Sequence, residues 1–425
     1  MSSDRFDVVV VGAGVAGLVA AVEAAKGGAR TLVLDARPAG GRARTTDRTG
    51  YLFNEGPHAL FEGGAFMAVL KRWGLEPAGR RPPASGAHVV LGDTLHPFPT
   101  GPGRLARTPL LSPASRIRFA RLMTRMPRLD AARLAGRSVT EWFDGDDLPD
   151  DVRRLVLTLV RVTSYGNAPE LMDAAAAISQ LRAGLQGVRY LDGGWQGIVD
   201  GLVRTLAQAG GTLHAGTAVG AVEADGRSAQ VHAAYGPVET TAVILAGLPP
   251  AEAARLLGRD QETFGRLGPA VEAACLELGA TRPAQPPVVF GLDRPLYLSV
   301  HAPVARLAPP GRAMVEVMHY LPPGHERDAV EDRAELAALA SRCGLDETTI
   351  ERERFLRRVT VAHALPLARE GGLAGRPSVV ATGLPNVLLA GDWVGPEGML
   401  SDASAASAQA SADAALRLLA SVPAR

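Results

Sequence analysis

The sequence contains few of the residues on which disulfides, common metal motifs and lysine chemistry depend. Its 425 residues include two cysteines, Cys275 and Cys343, and two lysines, Lys26 and Lys71. Two cysteines cannot build a disulfide scaffold, and their scarcity fits a reducing compartment such as the cytoplasm. The nine histidines are scattered without CxxC or HExxH spacing. The sequence motifs therefore predict no metal site.

Charge and hydropathy exclude two further classes of protein. The formal net charge is +1, so the overall charge does not predict binding to nucleic acid. The longest uncharged apolar run, Val8 to Val22, is interrupted by glycines and is shorter than the roughly 20 residues of a membrane-spanning helix. A hydrophobic content of 47% at this length predicts two or three folded domains in a cytoplasmic protein.

The first 35 residues have the pattern of a βαβ unit. An apolar strand, Phe6–Val11, is followed by the GxGxxG turn Gly12-Ala13-Gly14-Val15-Ala16-Gly17 and an alanine-rich helix. A second strand, Thr31–Leu34, ends at the acidic residue Asp35. Strand, glycine turn, helix, second strand and terminal acid together predict a dinucleotide-binding unit rather than an ordinary glycine-rich turn.

Each part of this unit has a physical role in binding a dinucleotide. The first glycine permits a tight turn, the second lets a pyrophosphate approach the backbone, and the third lets the helix pack closely. The helix N-terminus attracts the pyrophosphate through its free amides, and the acid accepts ribose hydroxyls. The predicted contacts are Gly12, Gly14, Val15, Ala16, Gly17, Asp35 and Ala36.

The residues that follow indicate which dinucleotide binds. Gly40-Gly41-Arg42 comes shortly after Asp35, and Gly56-Pro57-His58 comes next. With the GxGxxG turn, this order resembles the flavin-containing amine oxidase and phytoene desaturase superfamily. The resemblance implies FAD, with Gly41 and Arg42 near its phosphates and the loop Gly56, Pro57 and His58 along its isoalloxazine ring. It also makes His58 the leading candidate for a catalytic side chain.

A second motif lies near the C-terminus. The apolar strand Asn386–Ala390 ends in Gly391-Asp392-Trp393, and a glycine loop leads to a long helix of Ala, Ser and Leu from Met399. Asp392 can accept a ribitol hydroxyl, and amides near Gly398, Met399 and Leu400 can face the flavin pyrimidine oxygen. The AGDW form resembles plant-type carotene desaturases more than amine oxidases, although the usual Glu-Gly-Ala continuation is replaced by Glu397-Gly398-Met399.

The middle of the chain completes the predicted architecture. A helix opening at Gly193-Gly194, a hairpin around Asp225-Gly226 and the strand Ala242–Gly247 follow in order. The resemblance implies that they complete the FAD domain, with Val219 near the adenine and Gly247 at a strand end, although a plain β meander is the alternative. We expect an α/β protein with a discontinuous Rossmann-like FAD-binding domain (residues 1–75, 186–270 and 365–425). An inserted α+β substrate domain takes residues 76–185 and 271–364, and residues 82–185 are expected to be mostly helical.

These motifs predict an FAD-dependent oxidoreductase that transfers hydride from a C–H bond to flavin N5. The AGDW resemblance favours an apolar, isoprenoid-like or polycyclic substrate. An amine or amino-acid oxidase and a non-catalytic lipid-binding module on the same fold are the alternatives. Further candidates on the substrate side are Tyr165, Tyr297, His319, Tyr320 and His363. The electron acceptor and the oligomeric state are not indicated.

Two compositional features refine this prediction. Both cysteines lie outside the closing motif in sequence, so we expect FAD to be bound without a covalent link. Lys26 and Lys71 do not match the lysine that amine oxidases of the superfamily typically place near the flavin. The segment Arg104–Arg137 holds nine arginines and one acid. A solvated helical face is the favoured interpretation, and peripheral contact with an anionic membrane is the alternative.

Overall fold

The computed structural model describes residues 5–56, 58–83, 86–326 and 328–421. Pro57, one of the predicted cofactor contacts, lies outside the described residues. The α-helices in these ranges are α1 (Val15–Lys26), α2 (Ala65–Arg72), α3 (Gly101–Arg107), α4 (Pro113–Arg125), α5 (Val139–Gly145), α6 (Asp150–Ser164), α7 (Ala174–Gln186), α8 (Gln196–Gln208), α9 (Pro250–Leu256), α10 (Ala329–Arg342) and α11 (Leu400–Ser421).

The strands of the same ranges form two large sheets and two small ones. They are β1 (Phe6–Val11), β2 (Thr31–Asp35), β3 (Thr46–Arg48), β4 (Tyr51–Phe53), β5 (Leu60–Phe61), β6 (Gly79–Arg80), β7 (Ala87–Leu91), β8 (Thr94–Pro97), β9 (Val188–Leu191), β10 (Thr212–Ala215), β11 (Val219–Ala224), β12 (Ala229–Ala233), β13 (Gly236–Ala246), β14 (Val271–Ala280), β15 (Val288–Gly291), β16 (Leu296–Ala302), β17 (Ala313–Leu321), β18 (Ile350–Ala362) and β19 (Val387–Ala390).

The first large sheet has a parallel core. Strands β10, β2, β1, β13 and β19 lie in parallel, and β11 and β12 extend the sheet as an antiparallel meander. Val8 and Val10 pack against α1, α8 and α11 on one face, and Val9 and Val11 pack toward the meander and α9 on the other. Burial on both faces explains the continuous apolar run of β1. The predicted α/β fold is confirmed.

The second large sheet has the order β18-β14-β17-β16-β15-β7-β8. Helix α10 packs on one face, where Leu336 and Leu339 contact the apolar side chains of the sheet. Residues 82–185 are less uniformly helical than expected, because β7 and β8 form a hairpin that pairs with β15. The pairing of β7 with β15 joins distant parts of the chain, whereas the hairpin itself is local, and its Gly92-Asp93 turn is a signal that the helical prediction overlooked.

Helix α11 packs closely on the first sheet because small side chains face it. Its buried residues include Ala403, Ala408 and Ala412. The hydroxyl of Ser407 accepts a hydrogen bond from the Gly391 amide at 2.9 Å, and Ser411 donates to the carbonyl of Leu389 at 2.6 Å. No helix among the described residues combines the length and hydropathy needed to cross a bilayer.

A buried carboxyl group joins α11 to α2. Asp402 accepts a hydrogen bond from the amide of Phe66 in the first turn of α2, at 2.9 Å. A methyl group on Gly64 would lie 2.1 Å from an oxygen of Asp402, so the approach depends on glycine. Burial raises the pKa of Asp402 to about 6. The hydrogen bond from the Phe66 amide lowers this pKa, and the nearby charge of Glu397 raises it further.

We expect this carboxyl group to make stability depend on pH. Its pKa is higher in the folded protein than in the unfolded chain, so its contribution is complete below about pH 4 and is lost as the pH rises through about 6. Between about pH 4.5 and pH 7.5, wild type should lose about 2 kcal/mol of unfolding free energy relative to Asp402→Asn. The exposed Asp413→Asn on the same helix is the matched control. Equal differences at both pH values in urea titrations would contradict the assignment.

Candidate functional site

The glycine turn after β1 has the close contacts that its spacing predicts. Gly12 has a φ of +110°, and a methyl group there would lie 2.1 Å from the carbonyl oxygen of Ala246. A methyl group on Gly17 would lie 1.8 Å from the carbonyl oxygen of Gly12. Side chains at these two positions would push α1 away from the sheet. The turn is therefore restricted to glycine by backbone contacts inside the protein.

The N-terminus of α1 is open. A methyl group on Gly14 would meet no atom closer than the Gly40 carbonyl oxygen at 4.0 Å. No side chain caps the helix, and its first turn contains no acidic residue. The first-turn amides of Val15, Ala16 and Gly17 have no earlier helical carbonyl to bond. An uncapped helix end with room in front of it is suited to an anion such as a pyrophosphate.

Asp35 lies beside this turn at the end of β2. Its carboxylate accepts hydrogen bonds from the amides of Ala13 at 2.7 Å and Arg37 at 2.8 Å. Its carbonyl oxygen accepts a bond from the Thr217 amide, which places Val219 two residues farther along the same edge. Ala36 is exposed next to it. The carboxylate is fixed by the backbone, and each oxygen keeps a lone pair for a ribose hydroxyl.

The Gly40-Gly41-Arg42 segment connects the turn to the other end of the chain. The amide of Gly40 donates to the carbonyl of Ala13 at 2.8 Å, which holds the segment beside the glycine turn. The guanidinium of Arg42 donates to the carbonyl of Val361, at the end of β18, at 2.8 Å. It also forms an ion pair with Asp392 at 2.8 Å. Arg42 thus joins the two predicted FAD motifs directly.

Asp392 is buried, with 1% of its side chain exposed, whereas 36% of the Arg42 side chain is exposed. The ring nitrogen Nδ1 of His363 lies 3.1 Å from the same carboxylate. Burial by itself would raise the pKa of Asp392, but Arg42 and His363 outweigh burial and hold the pKa well below its usual range. The carboxylate is therefore charged near neutral pH.

Arg376 is a second buried guanidinium near this carboxylate. Its Nε and Nη1 atoms are inaccessible to solvent and have no hydrogen-bond partner within the described parts of the chain. Burial lowers the pKa of Arg376 to about 10, and the charge of Asp392 partly opposes this change. Unpaired buried donors are costly unless a ligand accepts their bonds. No local sequence signal marks this residue, because it belongs to neither predicted motif.

The remaining predicted contacts lie around the same carboxylate. The amide of Gly247 donates to the carbonyl of Ala390, which sets the end of β13 beside Gly391. Met399 is buried, Gly398 is half-buried, and Leu400 adopts a left-handed φ of +56° at the start of α11. A left-handed leucine costs about 1–3 kcal/mol and is often retained where a backbone direction matters.

These residues fit FAD. The uncapped end of α1 can hold the pyrophosphate, Asp35 the AMP ribose and Asp392 the ribitol, and the unpaired donors of Arg376 can bond a further acceptor. The role assigned to each residue is a prediction that ligand binding must test. The fit rests on an open helix end, a buried carboxylate and orphaned buried donors, all found within one part of the structure.

The loop around His58 connects the cofactor site to the second sheet. The Nδ1 atom of His58 lies 2.8 Å from the carbonyl oxygen of Gly56, and its ring lies 5.2 Å from that of Trp195. Burial lowers the pKa of His58, which keeps the imidazole neutral near pH 7. The amide of Gly56 donates to Glu277, on β14 of the second sheet, at 3.2 Å.

Cys275 lies closer to this loop than its sequence position suggested. A methyl group on Gly56 would lie 3.8 Å from the sulfur of Cys275 on β14. The residue is outside the closing motif in sequence but beside the candidate cofactor site in space. Burial raises the pKa of the Cys275 thiol well above its usual value, so the group stays protonated and is a poor nucleophile.

The second sheet turns an aromatic face toward this loop. Tyr320 lies 6.2 Å from Tyr165 and 6.4 Å from Tyr297, measured between ring centroids. Tyr190 stacks on His301 at 4.0 Å. The structure thus brings three predicted substrate-side residues together, and it places His363 on Asp392. His319 is different, because strand alternation directs it to the opposite face, against α10.

A buried charged cluster lies on the same face. Glu277 forms an ion pair with Arg354 on β18, and it is hydrogen-bonded to Glu316 on β17. Both glutamates are at most 1% exposed. Burial, with the neighbouring charge of Glu277, raises the pKa of Glu316 well above its usual value. Glu316 is therefore neutral, and the charges of Glu277 and Arg354 cancel. No sequence motif marked these three residues, because they come together only by strand pairing.

The same substitution should have very different effects on stability at the two glutamates. Glu316→Gln keeps a neutral hydrogen-bond donor and should change the unfolding free energy by less than about 1 kcal/mol. Glu277→Gln leaves Arg354 without its buried partner and should cost about 3–5 kcal/mol. Guanidinium titrations of both variants at neutral pH test this difference. Similar losses in the two variants would show that the proton is not held by Glu316.

Comparisons with known proteins agree with this geometry. The sequence model for flavin containing amine oxidoreductase matches residues 15–416, which is nearly the whole chain. No curated protein sequence matches the chain. Among solved structures, an oxidoreductase from Methanosarcina mazei has a TM-score of 0.74 at 20% identity, covering 95% of this chain and 99% of that protein.

Two further structures extend the comparison. Cyclohexylamine oxidase from Brevibacterium oxydans IH-35A has a TM-score of 0.71 at 16% identity, covering 98% of this chain and 100% of that one. A protein from Exiguobacterium sp. 255-15, provisionally named protoporphyrinogen oxidase, has a TM-score of 0.71 at 18% identity, covering 97% and 98%. At these identities the structures describe the fold alone.

The matched residues 15–416 include both predicted FAD motifs except Gly12, Ala13 and Gly14. The predicted resemblance to this family is therefore confirmed. The FAD cofactor and the oxidoreductase class are confirmed with it. The chain belongs to the flavin containing amine oxidoreductase family and is an FAD-dependent oxidoreductase.

Proposed function

We propose that the protein removes hydride from a C–H bond of an apolar, isoprenoid-like or polycyclic small molecule. The observation that carries this proposal is the apolar face of the second sheet beside the candidate cofactor site. A buried group of Ala273, Cys275, Tyr297, Met318 and Tyr320 forms its base. Partly exposed apolar side chains cover this base, namely Val162, Tyr165, Val288, Phe290, Leu356, Val359 and Val361.

The buried and partly exposed side chains of this face together form an apolar wall. The wall adjoins the residues assigned to the cofactor. A methyl group on Gly56 would lie 3.9 Å from Val359, and the carbonyl of Val361 accepts the bond from Arg42. A substrate on the wall would therefore lie next to both predicted flavin contacts. Each buried CH₂ group of such a substrate contributes about 0.8 kcal/mol to binding. Apolar contact is the main attraction that this surface offers.

The charged cluster beside the wall supports an uncharged substrate. Glu316 is neutral, and Glu277 is paired with Arg354, so the cluster presents no net negative charge to a protonated amine. Bound FAD supplies a two-electron acceptor for the hydride. The protein's own part is to hold the reacting carbon and exclude water. His58 donates from Nδ1 to Gly56, which leaves Nε2 as the nitrogen able to accept a proton.

Amine oxidation is the second candidate function. It is favoured by the family description and by the similarity to cyclohexylamine oxidase. Lys26 and Lys71, the two lysines of the sequence, are exposed on α1 and α2 of the cofactor half. Neither stands on the second sheet. The similarity to the provisional protoporphyrinogen oxidase supports a polycyclic substrate instead.

A panel of substrates distinguishes the two functions. Under anaerobic conditions we expect bleaching of the flavin absorbance by squalene micelles or protoporphyrinogen, and little bleaching by putrescine or cyclohexylamine. An oxygen pulse after reduction should then reoxidise the flavin slowly. Rapid bleaching by either amine followed by rapid reoxidation would replace the first proposal with the second.

Substitutions in the wall give this experiment a control. Leu356→Asn removes apolar contact from the wall and should raise the apparent dissociation constant of the bleaching substrate about tenfold. Val330→Asn is the matched control, because Val330 is 72% exposed on α10 at the other face of the sheet. Equal effects of the two substitutions on this dissociation constant would show that the apolar wall does not bind the substrate.

FAD should be bound without a covalent link. The protonated Cys275 thiol near Gly56 is a poor nucleophile, and Cys343 is buried beside α10, away from that loop. Acid precipitation should release all of the flavin into the supernatant. A yellow pellet in wild type that turns colourless in Cys275→Ser would contradict this expectation and identify the attachment site.

We propose that the arginines of the segment Arg104–Arg137 stabilise the fold and do not bind a membrane. Arg116 donates to three backbone carbonyls that connect α3 to α4, at 2.7 to 3.2 Å. Arg118 donates to the carbonyl of Asp146 at 2.7 Å. Guanidinium groups used in this way hold the helices in place. This supports the solvated-face interpretation of Arg104–Arg137.

A further inference from the structure

A cluster of metal-ligand side chains lies on the face of the second sheet that is turned away from the cofactor site. His319 projects from β17 toward α10, and His325 follows in the connecting loop. Asp332 and Glu335 stand one turn apart on α10 and face the same point. All four side chains are nearly buried, none of them more than 11% exposed.

The separations of the donor atoms match those of a small coordination shell. Nδ1 of His319 lies 3.5 Å from Asp332 and 4.0 Å from Glu335, and Nε2 of His325 lies 2.9 Å from Asp332. The donor atoms of the two histidines and Asp332 all lie within 4.8 Å of one another. Zinc bonds of about 2.0–2.2 Å place tetrahedral ligands about 3.3–3.5 Å apart. Glu335 lies outside this group of three, 4.0 Å from His319, and would join the shell by rotation of its side chain.

The charges and ring orientations agree with a divalent metal. Imidazole nitrogens and carboxylate oxygens are ligand types that zinc accepts, and the carboxylates offset its positive charge. The rings of His319 and His325 are nearly perpendicular, at 85°, with centroids 5.3 Å apart. Arg294 bonds one oxygen of Glu335 at 3.3 Å, and the other oxygen faces His319. An outer hydrogen bond of this kind orients a ligating carboxylate.

We propose that His319, His325, Asp332 and Glu335 form a structural binding site for a divalent transition metal of the zinc type. Four protein ligands would close the shell and exclude catalysis at the metal. The metal would tie the end of β17 and the following loop to α10, and so fix the helix that covers this sheet. The spacing H-x5-H-x6-D-x2-E matches no common zinc motif, which explains why the sequence predicted no metal site.

Isothermal titration of the FAD-bound protein with Zn²⁺, after dialysis against a chelator, tests this proposal. We expect one Zn²⁺ per chain with a dissociation constant below about 10 μM, and a higher melting temperature in excess metal. His325→Ala and His319→Gln should each weaken binding at least about 100-fold. His232→Ala is the matched control, because His232 forms an exposed pair with Glu223 at 3.1 Å.

The outcomes separate a metal site from a cluster of ion pairs. Absence of stoichiometric Zn²⁺ binding to wild type would overturn the proposal and leave histidine–carboxylate pairing as the role of these residues. Binding that is lost equally in His232→Ala would also overturn it. Circular dichroism and retained FAD show whether each variant is folded. Should His325→Ala not fold, the milder His319→Gln and Asp332→Asn variants provide the same comparison.

Discussion

The buried carboxylate of Asp392 organises the candidate cofactor site. A buried charge of this kind is stable only when opposite charges and hydrogen-bond donors surround it. Arg42 and His363 supply them, one from the glycine-rich segment after β2 and the other from the residue that follows β18. The carboxylate itself belongs to the loop that directly follows β19 of the first sheet. Three distant parts of the chain must therefore meet before this charge is compensated.

This requirement also relates the two sheets. Arg42 bonds the Val361 carbonyl at the end of β18, and Gly56 bonds Glu277 on β14, so the cofactor loops are attached to the second sheet at two points. The aromatic and apolar side chains of that sheet are thereby held beside the flavin contacts. Successive side chains of β17 point to opposite faces of the second sheet. Tyr320 faces the proposed substrate wall, and the adjacent His319 faces α10.

The sequence predicted those features that depend on neighbours along the chain. Gly12, Gly17 and Asp35 lie within one βαβ unit, and each is needed for a local reason that the spacing reveals. Arg42 and Asp392 were each assigned to the cofactor, but their mutual ion pair was not foreseen. The attachment of the hairpin β7–β8 to β15, the cluster around Glu277 and the position of Cys275 beside Gly56 depend on contacts between distant parts of the chain. Arg376 carries no motif, and only its buried, unpaired donors identify it.

The central claim is that Arg42 and Asp392 act as one unit in the cofactor site. A double-mutant cycle measures this coupling through FAD dissociation constants for wild type, Arg42→Gln, Asp392→Asn and the double variant, with circular dichroism to verify folding. We predict that each single substitution weakens FAD binding and that the double variant loses less than the sum, with a coupling of at least about 1 kcal/mol. Losses that add to within about 0.3 kcal/mol would show that the two residues act independently and would contradict the account.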